Sequence, residues 1–401
     1  MKRREFLKGV GAAAVATAAS SSRVMGANER IRLGIIGPGS RGQELMRDAL
    51  KVPNTEFVAV ADAFSLRQQQ ALRIAPTATA SFDYRELLDR KDLDAVFVAT
   101  PLHLHAEHFL ATLAAGKDLY CEKTMTWSIE QARKVRNAAG KTDRVIGVGL
   151  QHVSGGAFAD VKEFLTPGNM GKITKLRCWL NRNTRHGEPQ WHRKPPAELT
   201  AENVRWDLFL GRNGNGSKKK PPFDAHRFYN WRFFWDYSGG NVTENMVHQM
   251  AFWQKAMNLG IPQAATMTGG VYLWKDGREV PDTIDVTLEF PDMTLVWNAG
   301  FGNAHDPFGD EVLGTDGTII KNRHGVRYYP EKINRSDAGE QSGGSQGVNH
   351  IANWLECLRT PQEPNASVEL GFRSAVTCHM ANKAYREKRR VVWDAAREAA
   401  V

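Results

Sequence analysis

Cysteine is scarce: four residues in a chain of 401, all far apart. Cys121 and Cys178 fall in strand-like apolar runs, Cys357 and Cys378 in helical patterns. No pair has zinc-site spacing, and free buried thiols are the usual fate of such residues, with a Cys357–Cys378 bridge as the open alternative. His186 and His192 are not at a metal-ligand spacing either, and carboxylates near them are sparse, so no metal is expected. Long apolar runs are also missing. The stretch Val10 to Ala19 falls short of the roughly 20 residues of a membrane span, which excludes stable membrane insertion there. A broad basic stripe is absent as well. Of a formal charge of +9, Lys2, Arg3, Arg4, Lys8 and Arg23 against Glu5 place +4 within residues 1–27. Lys218, Lys219 and Lys220 form the one tight basic run, in a Gly/Asn/Pro-rich loop, which argues against nucleic acid as a partner.

What is present begins with a targeting pattern. Arg3-Arg4-Glu5-Phe6-Leu7-Lys8, the apolar stretch and a small-residue region through Ala27 read as a twin-arginine signal over residues 1–27. That predicts an exported, periplasmic protein that leaves the cytoplasm already folded. The remaining length suits two domains, and its 42% hydrophobic and 24% charged content is that of a soluble globular protein. The texture changes near residue 151. This places one domain at 28–151 and a second at 152–401, whose last helices pack back on the first.

The first domain carries G-x-G-x-x-G in its required setting. The strand Ile31–Ile36 runs into Gly37-Pro-Gly39-Ser40-Arg41-Gly42 and then a helical pattern, Gln43 to Leu50. Gly37 permits the turn, Gly39 lets a pyrophosphate approach the backbone, and Gly42 lets helix and strand pack closely. The helix N-terminus offers free N–H groups to phosphate. A second strand, Glu56 to Ala61, ends at Asp62, placed to accept hydrogen bonds from a ribose. This favours NAD; Arg67 nearby keeps NADP as the alternative. Strands at Asp94 to Thr100, Asp118 to Cys121 and Arg144 to Gly149 alternate with helices at His103 to Ala115 and Ser128 to Ala139. Such alternation predicts a doubly wound parallel sheet in an α/β fold. Ligands sit beyond the carboxyl ends of its strands, where Thr100-Pro101, Glu122-Lys123 and Gln151 fall.

In the second domain a helix, Gly155 to Leu165, precedes a strand, Ile173 to Leu180. Alternating runs at Ala265 to Trp274, Thr283 to Phe290, Thr294 to Gly300 and Asp310 to Gly314 predict an open, largely antiparallel sheet. Helices follow at His350 to Leu358 and Val368 to Tyr385. An open sheet invites pairing of two copies, so a homo-oligomer is expected. After Gly239-Gly240 another helix would put Glu244 and His248, four apart, on one face and in contact. A carboxylate there fixes an imidazole's tautomer and raises its basicity. Between Trp179 and Tyr237 the chain is rich in Trp, Phe and Tyr interleaved with Arg and His, a composition that suits a pyranose or fills a core beneath a long loop.

The glycine turn, Thr100-Pro101 with His105 four positions on, and Glu122-Lys123 after a strand resemble the glucose–fructose oxidoreductase, inositol dehydrogenase and rhizopine-catabolism family (Gfo/Idh/MocA). The resemblance covers residues 31–395. Thr124 stands where the family usually has proline, Leu102 where it often has Asn or Asp, and Glu244 where it has the shorter Asp of an Asp-x-x-x-His. It implies an NAD site of Gly37, Gly39, Ser40, Arg41, Gly42, Asp62, Thr100, Pro101, His103, His105, Glu122, Lys123 and Gln151. It implies catalysis by Lys123, Glu244 and His248, with His248 as general base and Lys123 as orienter, or the reverse. A sugar or glycoside would meet Lys123, Arg182, His186, Trp206, Trp231, Arg232 and His248. Export adds one expectation: a cofactor held tightly and recycled within each turnover. A conventional NAD(P)-dependent sugar dehydrogenase and a non-catalytic sugar-binding protein are the alternatives.

Overall fold

The computed structural model describes residues 30–184, 187–211, 220–331 and 339–401; the signal segment 1–27 and His186 lie outside them. Six short strands form the first sheet: β1 (Ile31–Ile36), β2 (Thr55–Ala61), β3 (Thr79–Ser81), β4 (Ala95–Val98), β5 (Asp118–Cys121) and β6 (Ile146–Val148). Their order is β3-β2-β1-β4-β5-β6, all parallel. Every residue of β4 and β6 is buried, as expected of strands covered on both faces. The connecting helices α1 (Ser40–Ala49), α2 (Ser65–Leu72), α3 (Tyr84–Leu88), α4 (His105–Ala114) and α5 (Ile129–Ala139) supply that cover. Ser128 caps α5, its hydroxyl accepting from the Gln131 N–H. The expected helix from His103 is shorter: Leu102–Leu104 form a 3₁₀ turn, and the α-helix starts at His105.

Beyond Gln151 the chain runs through α6 (Gly156–Phe164) and α7 (Pro167–Met170) into the second sheet. Its strands are β7 (Ile173–Asn181), β8 (Ala264–Gly270), β9 (Thr283–Glu289), β10 (Thr294–Gly300), β11 (Phe308–Gly314), β12 (Gly317–Asn322), β13 (Gly325–Pro330), β14 (Glu340–Gln341), β15 (Val391–Asp394) and β16 (Ala399–Ala400). The order is β14-β13-β12-β11-β7-β10-β9-β8-β15-β16, antiparallel except at β7–β10. In β12 every second residue is buried, so one face packs on the core and the other turns outward. β8 ends at Gly270, short of the expected Trp274, because the Asp282 carboxylate takes the N–H groups of Tyr272, Leu273 and Trp274 at 3.0, 2.9 and 2.9 Å. Those donors are lost to any ladder.

Between β7 and β8 lie the short helices α8 (Trp206–Leu210) and α9 (Ala225–Tyr229), then α10 (Val247–Ala256). The last helices, α11 (His350–Cys357) and α12 (Val368–Glu387), join the two domains. Trp354 of α11 sets its ring edge-on to Phe97 of β4, 4.9 Å between centroids. A Cβ on Gly147 would stand 2.7 Å from that indole, so β6 needs glycine there. Helix α12 is buried along most of its length and lies between α5 on one side and α10 with β8 on the other. All four cysteines are buried and free. Among the described residues no helix is long and apolar enough to cross a membrane.

Candidate active site

The strand order reverses between β1 and β4, and a cleft of about 300 Å³ opens beyond their carboxyl ends. The three glycines divide the work there. Gly37 has φ +85°, and a Cβ on it would stand 2.6 Å from the Thr100 side chain. One on Gly42 would stand 2.6 Å from the Gly37 carbonyl. One on Gly39 would meet nothing within 4 Å, because that side faces the cleft. Gly39 is also the N-cap of α1, with no side chain to satisfy the first N–H groups of the helix. Free donors beside open space fit a pyrophosphate. At the far end Asp62 lines the cleft, accepting from the Phe64 N–H at 2.8 Å. Burial raises its carboxyl to about 6, although the Phe64 N–H and Arg67 pull the other way.

Three histidines follow β4 and differ in their placing. His103 does not reach the cleft: it is buried, bonded through Nε2 to the Phe209 carbonyl at 2.7 Å and packed against Tyr237. Its expected contact with cofactor therefore gives way to a tie between domains. His105 lines the cleft, with Nδ1 at 2.7 Å from the Thr124 carbonyl and Nε2 at 2.8 Å from the Thr100 carbonyl. Its ring staples the Thr-Pro turn to the Glu-Lys turn. His108, absent from the sequence reading, also lines the cleft and meets Thr100 Oγ1 at 3.2 Å.

A second chamber, about 520 Å³, continues from the first, and Arg41, Glu122, Lys123, Tyr229, Arg232 and Glu244 line both. Arg41 reaches from α1 to the Glu122 carboxylate at 2.8 Å, and the other Glu122 oxygen accepts from the Lys123 N–H at 3.1 Å. Lys123 Nζ then crosses to the second domain, donating to the Glu244 carbonyl at 2.9 Å and carboxylate at 3.1 Å. Arg232 Nε joins the same carboxylate oxygen at 3.0 Å. Burial alone would raise the Glu244 carboxyl, but Arg232 and Lys123 outweigh it and hold it at about 2.

The expected Glu244–His248 contact is replaced. Val242–Met246 form one π-helical turn before α10 begins. The wider i→i+5 turn takes residues four apart out of line, so the carboxylate goes to the two cations. His248 stacks on His152, 4.7 Å between centroids, and its buried Nδ1 has no partner among the described residues. Burial first, then His152, Lys123 and Arg41, push its pKa well below the ordinary value and keep the ring neutral. His248, Gln151 and Arg182 line the second chamber.

The aromatic segment is mostly core. Phe209, Phe233, Phe234 and Tyr237 are buried together. Trp206 stacks on Phe209 at 5.0 Å and donates Nε1 to the Pro221 carbonyl, away from both chambers. Its expected place on the sugar is thus corrected. Trp231 does line the first chamber, beneath the Arg232 guanidinium. Arg193, Tyr229 and Asn245 line the second chamber and were not singled out for it, because the stretch around the first two has no helical or strand period. Among the described residues no cluster of three His, Cys, Asp or Glu could hold a metal ion.

Residues 31–150 match the family described as an oxidoreductase family with an NAD-binding Rossmann fold, Gfo/Idh/MocA. That match spans the N-terminal domain. An inositol 2-dehydrogenase of Klebsiella pneumoniae (strain 342) is 30% identical over 161 residues, 39% of this chain and 48% of the relative. The chain thus spans about half the length of that relative. The NADP-dependent scyllo-inositol 2-dehydrogenase of Bacillus subtilis (strain 168) is 26% identical over 294 residues, 73% of this chain and 69% of the relative. Among solved structures, a levoglucosan dehydrogenase in complex with NADH and levoglucosan superposes with a TM-score of 0.70 at 17% identity, covering 91% of this chain and 99% of that one. That likeness extends the shared fold through the second domain.

Two departures from the Gfo/Idh/MocA pattern have structural counterparts. Thr124, in place of proline, donates its hydroxyl to the Thr243 carbonyl at 2.6 Å, a bond across the domains that proline cannot make. The Lys123–Thr124 peptide is cis. Glu244, one methylene longer than aspartate, carries its carboxylate to Lys123 and Arg232 together.

Proposed function

We propose that this chain is a nicotinamide-dependent oxidoreductase acting on a carbinol carbon of a sugar or glycoside, with its cofactor held through the whole catalytic cycle. The observation that carries the reading is the meeting of Lys123, Glu244 and His248, from two domains, where the dinucleotide cleft opens into a second chamber. Bound NAD supplies the chemistry of taking a hydride from such a carbon and returning one. The protein supplies the proton handling. Lys123 spends two of its three donors on Glu244, which leaves one for a substrate oxygen. His248, neutral and with a free ring nitrogen, accepts the hydroxyl proton. The names of the relatives, inositol and levoglucosan dehydrogenases, support a polyol or sugar substrate.

Cofactor retention is supported by a strap from the second domain over the adenosine end of the cleft. Phe64 forms an isolated β-bridge with Val204, and Arg205 N–H donates to the Ala63 carbonyl at 2.8 Å. The Arg205 guanidinium lies 4.6 Å over the Phe82 ring, and Arg193 reaches Ser40 at the start of α1 at 3.0 Å. Arg67, the residue that would receive a 2′-phosphate, is engaged by Gln70 and Tyr229, which favours NAD. The twin-arginine pattern adds the reason: an exported enzyme has little free NAD to exchange with. The outward face of the ten-stranded sheet is the surface for pairing two copies.

The test is purification of the mature protein. It should carry nicotinamide that survives dialysis, and Lys123→Met and His248→Ala should keep that cofactor while losing turnover. Protein isolated empty, exchanging added NAD freely, would overturn the retained-cofactor reading.

A further inference from the structure

We propose that the sugar this site takes carries a single negative charge, a carboxylate or sulfate, and that Arg182 receives it; the inference rests on the sugar-oxidoreductase reading above. Among the described residues, five cations line the second chamber against three carboxylates. Arg41 is matched by Glu122 and Glu44, and Lys123 with Arg232 by Glu244. Arg193 reaches Ser40, beside the phosphate-binding turn. Arg182 is different. It stands just past β7, off the dinucleotide cleft, and among the described residues it has no carboxylate partner.

What holds Arg182 is neutral. Its Nη2 donates to Asn245 Oδ1 at 3.0 Å, and the Asn245 amide donates in turn to Asn241 Oδ1. Both asparagines are buried, so the guanidinium is aimed by a fixed amide that cancels none of its charge. Burial presses the Arg182 pKa down, and only Glu244, at a distance, pushes back. One amide oxygen uses one of five guanidinium donors, so the remainder can take a planar oxyanion on two parallel bonds. Gln151 and His248 line the same chamber, and each has a buried polar atom, Oε1 and Nδ1, without a partner among the described residues. The anion would therefore lie in one chamber with the group assigned to proton transfer. Of the two cations in excess, Arg193 faces the phosphate-binding turn, and the one left, Arg182, matches a monoanion; a phosphate monoester, at about −1.5 to −2 near pH 7, exceeds it.

Equilibrium binding to the cofactor-loaded protein, followed by calorimetry, tests this. Methyl glucuronide and methyl galacturonide would be compared with the matching neutral glycosides, and glucose 6-sulfate with glucose 6-phosphate. The expected result is at least tenfold tighter binding of the uronides and the sulfate than of the neutral sugars. That preference should weaken with salt, disappear in Arg182→Gln and return in part in Arg182→Lys. Equal binding of acidic and neutral sugars, or a preference left intact in Arg182→Gln, would overturn the proposal. The two readings fail separately. Turnover of neutral glycosides without any preference for acid leaves the oxidoreductase standing and removes the charged substrate. An acid preference in binding with no reduction of cofactor by any sugar does the reverse.

Discussion

Lys123 and Glu244 meet twice across the domain boundary, ammonium to backbone carbonyl at 2.9 Å and ammonium to carboxylate at 3.1 Å. Arg232 shares that carboxylate, so one buried acid faces two cations, Lys123 mostly buried and Arg232 about a third exposed. Removing the charge would leave both uncompensated, which costs about 3–5 kcal/mol when a buried pair loses a partner. Glu244→Gln should therefore lower the urea midpoint markedly and abolish turnover. Its acid profile should change as well. The folded carboxyl sits at about 2, below the ordinary 4.5. It thus contributes stability that is fully present above pH 4.5 and lost as pH falls toward 2. Urea titrations across that window should show the wild type losing its advantage over Glu244→Gln, and parallel curves would contradict the ion-pair account.

Gly39 and Gly42 offer a separation of binding from stability. A Cβ at Gly39 enters open cleft, whereas one at Gly42 runs into the Gly37 carbonyl at 2.6 Å. Gly39→Ala should melt like the wild type yet bind NAD at least tenfold more weakly. Gly42→Ala should be destabilised by about 1–3 kcal/mol, the usual cost of overpacking. Thermal unfolding of the cofactor-free proteins and NAD titrations read the two effects separately.

Asp62 predicts a pH dependence of opposite sense to that of Glu244. Its folded pKa of about 6 lies above the ordinary 3.8. Between those values the free fold holds a proton that the unfolded chain has released, so its stability declines as pH rises through the window. Ribose hydroxyls favour the ionised carboxylate, which accepts from both of them. NAD affinity should therefore weaken as pH drops below 6. Asp62→Asn should bind more weakly and lose that slope, and a titration series from pH 5 to 8 checks both.

The first domain was legible because its signals are local. Ile31–Ile36 and Asp118–Cys121 are apolar runs bounded by turn residues, and Gly37 and Gly42 each have a steric reason to be glycine, while Gly39 faces the open cleft. In the second sheet, β12 lacks a clean strand pattern because Lys321 sits at an inward position, where the alternation calls for an apolar residue. The fold accepts it because buried Asp310 pairs with it from β11, a partner that sequence spacing cannot supply. Lys123 and His248 were found through resemblance. Their surroundings were not, because the π turn at Val242–Met246 breaks the spacing that would join Glu244 to His248. Arg193 and Tyr229 lie in a segment whose conformation is set by packing against the other domain.

That segment carries the last prediction. The strap holds the adenosine edge through Arg205, by its N–H on the Ala63 carbonyl and its guanidinium over Phe82, while Arg193 reaches Ser40 at the phosphate end. The backbone bond survives truncation of Arg205, but the stacked cation does not, and such a contact is worth about 0.5–2 kcal/mol. Truncating Arg193 removes a charge that would otherwise face the pyrophosphate, where charge-assisted bonds are the stronger kind. Arg193→Ala should therefore release bound nicotinamide about ten- to a hundredfold faster than wild type, and Arg205→Ala roughly tenfold faster. Thermal stability of the cofactor-free proteins should change little, since both side chains lie at the rim of the cleft. Dialysis of the loaded proteins with timed sampling of retained nicotinamide measures the rates. Equal retention in all three would mean that the strap shapes the chamber without closing it, and that the cofactor is held by the glycine turn and Asp62 alone.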